Sequence, residues 1–188
     1  MHALKRFVPL VGVVLMVGCG YNTIQTYDEQ VNAAAAQIKV QLQRRADLIP
    51  NLVETVKAYA KQERTVFTEV AEARAKLAGA VQSGDLQQMA EANRQLTAPL
   101  GRLLAIAENY PQLKSNENFR ALQDQLEGTE NRIAVARQDY NEAVNRYNAY
   151  IRRFPQVLTA KLLGKGARPY FELETPGAAQ APKVDFSK

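Results

Sequence analysis

The feature that most restricts this chain is the stretch from residue 21 to residue 78, which contains no glycine and a single proline, Pro50. It is rich in Ala, Gln, Glu, Arg and Lys, side chains that lose little freedom on entering a helix. Apolar residues recur through it at steps of three and four: Val31, Ala35, Ile38, Leu42, Ile49, Leu52, Val56, Tyr59, Val66, Val70, Ala73 and Leu77. Such spacing gives a helix one apolar seam, here interrupted at Arg45 and Glu63. Pro50 has no amide hydrogen and its ring crowds the carbonyl of Ala46, so it must kink the helix or end it. Unbroken heptad phase favours a kink. Length favours a break, because segments of about 27, 30, 25 and 38 residues pair side by side, whereas one rod of about 87 Å leaves half of itself without a partner.

Two more long helices follow. Asp85 is placed to cap one that carries Leu86, Met89, Leu96, Leu100, Leu103 and Ala107 on one side, bends at Pro99 and Gly101, and ends before Pro111. The next begins at Ser115 or Asn116 and ends before Pro155, with Phe119, Leu122, Leu126, Ile133, Ala136, Tyr140, Ala143, Tyr147, Tyr150 and Phe154 on one seam. A short helix at 156–163, an extended segment at 168–174 and a Pro-, Ala- and Gly-rich tail at 175–188, expected to be disordered, complete the chain. The fold predicted is all-α: an antiparallel up-and-down four-helix bundle over 26–174, kinked or broken at Pro50, with a short C-terminal extended segment.

The first residues read differently. Lys5 and Arg6 precede the apolar run Phe7 to Val17, which ends on Gly18 and Cys19. This is the three-part layout of a secretory signal peptide, and the run is well short of the roughly 20 residues a spanning helix needs. Leu15, Met16, Val17, Gly18 and Cys19 resemble a bacterial lipobox, with Met16 where Leu is usual. The expectation is a lipoprotein signal peptide at 1–18, removed to leave Cys19 lipidated, and a short tether at 19–25. A lone acyl chain anchors weakly, but the several chains of a bacterial lipoprotein anchor stably. In a host with two membranes, the absence of an acidic residue at Gly20 points to the periplasmic face of the outer membrane; otherwise the domain faces outward from the cytoplasmic membrane.

Composition narrows the chemistry. Cys19 is the only cysteine and His2 the only histidine, and His2 falls in the segment expected to be removed. The working domain then has no disulfide, no Ser-His or Cys-His pair, no histidine-containing zinc site and no glycine-rich phosphate loop. Losing Lys5 and Arg6 lowers the formal charge of +5 to about +3, an ordinary surface that gives no reason to expect nucleic acid. No cofactor or metal is expected. Glu54, Glu63, Glu69 and Glu72 keep a carboxylate hydrolase formally open, although mixed charges at such spacings are usual on exposed helices.

Four ordered motifs carry a resemblance: Tyr21 and Asn22, the run RRADLIPNLVETVKAYAKQE from 44 to 63, ENYPQLKSNENF from 108 to 119, and ENRIAVARQDYNEAVNRYN from 130 to 148. Together they resemble the LemA family over about 21–174. The resemblance implies an all-helical up-and-down bundle on an N-terminal membrane anchor and association with other membrane proteins of the envelope; it implies no particular reaction. Two departures stand out. Gln62 occupies a position where many relatives carry histidine, so no metal or proton-transfer role for that histidine extends here. Many relatives also keep an uncleaved N-terminal helix where this chain carries the lipobox.

Candidate interaction residues follow from these motifs. Arg44, Arg45, Asp47, Pro50 and Asn51, interleaved with apolar residues, form either a partner-binding elbow or a bend in which Asp47 pairs with an arginine and Pro50 sets an angle. Asn141 and Asn148 belong to a group of asparagines on the last long helix that either fix helix register or line a polar groove. From Glu130 to Arg168 eight basic residues face three acids, giving a basic end that either meets anionic lipid or is simply solvated. The function expected is that of a non-catalytic, membrane-anchored adaptor or scaffold for another envelope protein; the alternative is a binding module for lipid or a peptidoglycan-related ligand.

Overall fold

The computed structural model describes residues 20–171. The signal segment with Cys19 and the tail at 175–188 lie outside the described residues, as do residues 172–174. The described residues form helices and connecting turns, with no strand among them. In chain order the helices are α1 (Tyr21–Lys57), α2 (Arg64–Ser83), α3 (Leu86–Asn109), α4 (Pro111–Lys114), α5 (Glu117–Ile151) and α6 (Gln156–Leu162). Residues 21–25, read as a tether, are the first turns of α1, and Ile24 is fully buried.

Pro50 does not break the chain. α1 passes through it and runs on to Lys57. The Ala46 carbonyl, which a residue-50 amide would normally satisfy, accepts instead from Arg74 Nε on α2 at 3.2 Å. A guanidinium from the next helix thus replaces the hydrogen bond that proline cannot make. The real interruption is the loop 58–63, at the end of which Glu63, the second gap in the apolar seam, takes the N-cap position of α2. Neither glycine nor proline marks this loop. Tertiary contacts hold it: Ala60 is fully buried, the Tyr59 hydroxyl accepts from Asn116 Nδ2 at 3.0 Å, and Gln62 Nε2 donates to the Tyr110 hydroxyl.

Capping fixes the other boundaries. Asp85 accepts from the amides of Gln87 and Gln88 at 2.8 and 3.1 Å, and Asn116 accepts from that of Phe119 at 3.0 Å. α3 continues through Pro99 and Gly101. Phe154, placed on the α5 seam by its spacing, is 74% exposed instead, because α5 ends at Ile151 and the chain turns before reaching it.

Segments of near-equal length are not what these boundaries produce: α1, α2, α3 and α5 have 37, 20, 24 and 35 residues. The two long helices pack most extensively on each other, and the two shorter ones likewise. Tyr27 meets Tyr150 edge-on at 5.2 Å between ring centroids, Arg45 meets Glu130, and Tyr59 meets Asn116, so α1 and α5 run antiparallel along their whole length. At 1.5 Å per residue α2 is about 30 Å long and α1 about 55 Å, so the α2–α3 hairpin covers about half of the long pair. Core side chains such as Ile38, Leu42, Leu52, Leu77, Leu103 and Tyr147 are fully buried or nearly so, each contributing about 1.5–3 kcal/mol. What covers the half that the hairpin leaves bare is the chain itself: after α6 it returns as an extended strap, residues 165–171, along α1 and α5.

Candidate functional site: elbow, knot and strap

Arg45 stands at a seam position and points inward. It is 5% exposed, with Nη1 donating to Asn93 Oδ1 on α3 at 2.5 Å and lying 2.6 Å from Glu130 Oε2 on α5. Burial pulls its pKa below the ordinary guanidinium value while the Glu130 carboxylate pulls it back up, and the group stays charged. One cation therefore ties together three helices at mid-height. Its neighbours in the same motif point the other way. Arg44, Asp47, Pro50 and Asn51 are all exposed. Arg44, Asp47 and Asn51 follow at steps of three and four, which lines them along one flank of α1. Asp47 accepts from Gln43 Nε2 at 2.8 Å, and the Asn51 carbonyl accepts from the Thr55 hydroxyl at 2.8 Å, so both contacts stay within α1.

Asn148 and Asn141 hold the strap. Asn148 Oδ1 accepts from the Arg168 amide at 2.8 Å while its Nδ2 donates to the Arg168 carbonyl at 2.9 Å. Asn141 repeats the arrangement on Phe171, at 2.8 and 3.2 Å. Each carboxamide satisfies the donor and the acceptor of one backbone residue, as a neighbouring strand would. The register is geometric: seven residues of helix rise about 10.5 Å, and three residues of extended chain span about 10 Å. Tyr140 adds a hydroxyl bond to the Pro169 carbonyl at 3.0 Å.

Electrostatics closes the same clamp on the α1 side. Asp28, 7% exposed, meets Lys165 Nζ at 2.6 Å and the Arg168 guanidinium at 2.7 and 3.1 Å. Burial alone would raise its pKa, but the hydrogen bonds from Lys165 and Arg168 outweigh burial and hold it below the usual carboxylate value. The reciprocal bond to Asp28 raises Arg168. Phe171 is buried beneath Arg137, whose guanidinium lies 5.3 Å from the ring centroid. Beside the strap an open groove of about 500 Å³ is lined by Arg137, Gln138, Asn141, Asn145 and Tyr170 among others.

The structure thus divides the sequence candidates. Arg44, Asp47, Pro50 and Asn51 share an exposed region, Arg45 is locked inside, and Asn141 and Asn148 are engaged by the chain's own backbone. Sequence reading missed Asp28, Arg74 and Asn93, and counted Lys165 and Arg168 only within the basic end, whereas both are engaged internally by Asp28. A signal existed for two of them: Asp28 and Asn93 stand in apolar seams, between Ile24 and Val31 and between Met89 and Leu96. Among the acids weighed for hydrolysis, Glu54 pairs with Lys57 and Glu69 with Arg102. No cluster of three or more His, Cys, Asp or Glu suited to a metal occurs among the described residues. No helix among them is long and apolar enough to cross a membrane.

A long antiparallel helix pair, a shorter hairpin covering half of it and a strap clamped along the rest define an all-helical protein whose distinctive features are interfaces between its own parts. The profile of the LemA family matches residues 34–186, and the chain belongs to that family. It is similar to the magnetosome proteins MamQ 1 and MamQ 2 of Paramagnetospirillum magneticum, each 28% identical over an alignment covering 84% of this chain and 66% of the relative. It is also similar to the magnetosome protein MamQ of Magnetospirillum gryphiswaldense, at 26% identity over 89% of this chain and 70% of that one. The chain therefore spans slightly less than two thirds of the length of the first two.

Proposed function

We propose that this protein is a non-catalytic lipoprotein of the cell envelope, held at the membrane through a lipidated Cys19, whose helical body serves as an adaptor for another envelope protein through the α1 elbow. The observation that carries the reading is the division within one motif: Arg45 is spent on internal packing while Arg44, Asp47, Pro50 and Asn51 stay on the surface, with no side-chain hydrogen bond or ion pair to another helix among the described residues. A forked cation, a carboxylate and an amide aligned along a helix whose opposite face is packed in the core make a polar recognition stripe on a rigid element. Relatives named as magnetosome proteins take their name from a cellular structure and not from a reaction, which supports a role without catalysis.

Affinity capture tests this. The full chain extracted from its own membranes is compared with an Asp47→Arg, Asn51→Arg double variant of equal thermal stability. A discrete partner retained by the first and lost by the second is the expected result; identical partner sets for the two forms overturn the assignment of the elbow. The groove beside Tyr170 supports a second reading, a binding module for lipid or a peptidoglycan-related ligand, since Arg137, Gln138 and Asn145 supply the polar lining such a ligand needs.

A further inference from the structure

The end of the molecule where α1 begins carries an apolar surface that its fold does not use. Phe154, Leu158 and Leu162 are 74%, 54% and 74% exposed. They recur at four-residue steps, which puts Leu158 and Leu162 on one side of α6, opposite the buried Thr159 and Ala160. Large apolar side chains clustered this way on a short helix mark an interaction surface. Its rim is cationic. Arg152, Arg153 and Lys161 are exposed and meet no carboxylate within ion-pair distance among the described residues. No acid occurs from Ala143 to Phe171, and Asp28, the first acid of α1, is already engaged by Lys165 and Arg168.

The position of Gly20 adds direction. Its φ of 125° is one that L side chains rarely adopt, and a Cβ there would come within 3.0 Å of Gln156 Cγ and 3.2 Å of the Tyr150 hydroxyl. The chain therefore enters the helical body tight against the start of α6. The residues immediately before it in sequence are Cys19, Gly18 and the apolar run Phe7 to Val17. The exposed apolar patch, the unpaired cations and the point of attachment all lie at one end.

We propose that α6 and the turn before it form a membrane-facing foot, in which Phe154, Leu158 and Leu162 enter the headgroup–acyl boundary of an anionic phospholipid bilayer while Arg152, Arg153 and Lys161 bind its phosphates. A protein partner would need acids to match a rim of this sign, whereas an anionic leaflet supplies both the charge and the apolar phase. Seven helical residues are too few to hold the body at a bilayer alone. The foot orients what the anchor holds, and sets the elbow at a fixed height. The proposal takes its membrane setting from the function proposed above, but needs neither the lipid on Cys19 nor a partner at the elbow.

The chain contains no tryptophan, which provides the test. Full-length Leu158→Trp and, at the opposite end, Lys61→Trp proteins are reconstituted with vesicles of phosphatidylcholine and phosphatidylglycerol, with or without brominated acyl chains, and sedimentation is measured alongside fluorescence. Leu158→Trp is expected to shift to the blue and lose most of its emission to brominated lipid, and Lys61→Trp to do neither. Adding Arg152→Glu and Arg153→Glu to the first protein, or omitting phosphatidylglycerol, should weaken the quenching. Protein that sediments with vesicles while Leu158→Trp stays unquenched overturns the foot alone; protein that neither sediments nor is quenched overturns the foot and the membrane setting together.

Discussion

Two side chains that look like defects in the first helix are what fit it into the fold. Pro50 deletes a hydrogen bond inside α1, and Arg74 restores the lost partner of Ala46 from outside. Arg74→Ala should cost about 1 kcal/mol in the natural chain and close to nothing beside Pro50→Ala, where the new amide reaches the same carbonyl. A double-mutant cycle by urea denaturation reads the difference. Equal costs in both backgrounds would mean that Arg74 contributes through other contacts. Arg45→Ala should destabilise by about 2–3 kcal/mol, since it leaves Asn93 unpaired in a buried site, while the half-exposed Glu130 can regain water. Arg45 was legible as an interruption of the seam, but its partners were not, because Asn93 and Glu130 lie on helices whose register against α1 no local pattern encodes.

At the scale of elements, the helices themselves were written plainly. Caps at Asp85 and Asn116 and seams of alternating threes and fours place α3 and the start of α5 where they lie, whereas α5 ends at Ile151 and not at Phe154. The interruption of the first helix was misplaced for a physical reason. Proline is the strongest local breaker, yet a tertiary guanidinium compensated for it, whereas the loop at 58–63 has no local breaker and exists because Tyr59, Ala60 and Gln62 gain partners there. The strap was foreseen only as an extended segment, without its clamp. That clamp makes a pH-dependent element. Because the Asp28 pKa is depressed in the folded state, its contribution is complete above the ordinary carboxylate value and is lost as the pH falls through the folded value. Amide hydrogen exchange of Arg168 and Phe171 should therefore gain additional protection as the pH rises out of the acid range in the natural chain, after correction for intrinsic rates, and show no such gain in Asp28→Asn. Identical profiles would remove Asp28 from the clamp. Leu52→Asp, at a fully buried seam position, should lower stability by more than about 3 kcal/mol in thermal or urea unfolding.

Taken as a whole molecule, the fold separates three features along one axis. The end at Gly20, where the proposed anchor joins, carries α6 and its cations, the middle carries the Arg45 knot with the proposed elbow on its outer flank, and the far end carries the loop 58–63 bonded to Tyr110 and Asn116. Sequence alone could list the elbow residues but not say which of them face outward, since one turn of α1 sends Arg44 to solvent and Arg45 to the core. Anchoring and presentation are the central claim, and one experiment reads both. A photo-crosslinking residue is placed at Asn51 in living cells, in the natural chain and in Cys19→Ser, and adducts in the membrane fraction are identified by mass spectrometry. A discrete protein adduct in the natural chain that disappears from Cys19→Ser is the predicted result. Unchanged membrane association and adducts in Cys19→Ser would contradict the anchor, and no protein adduct from Asn51 in the natural chain would contradict the elbow.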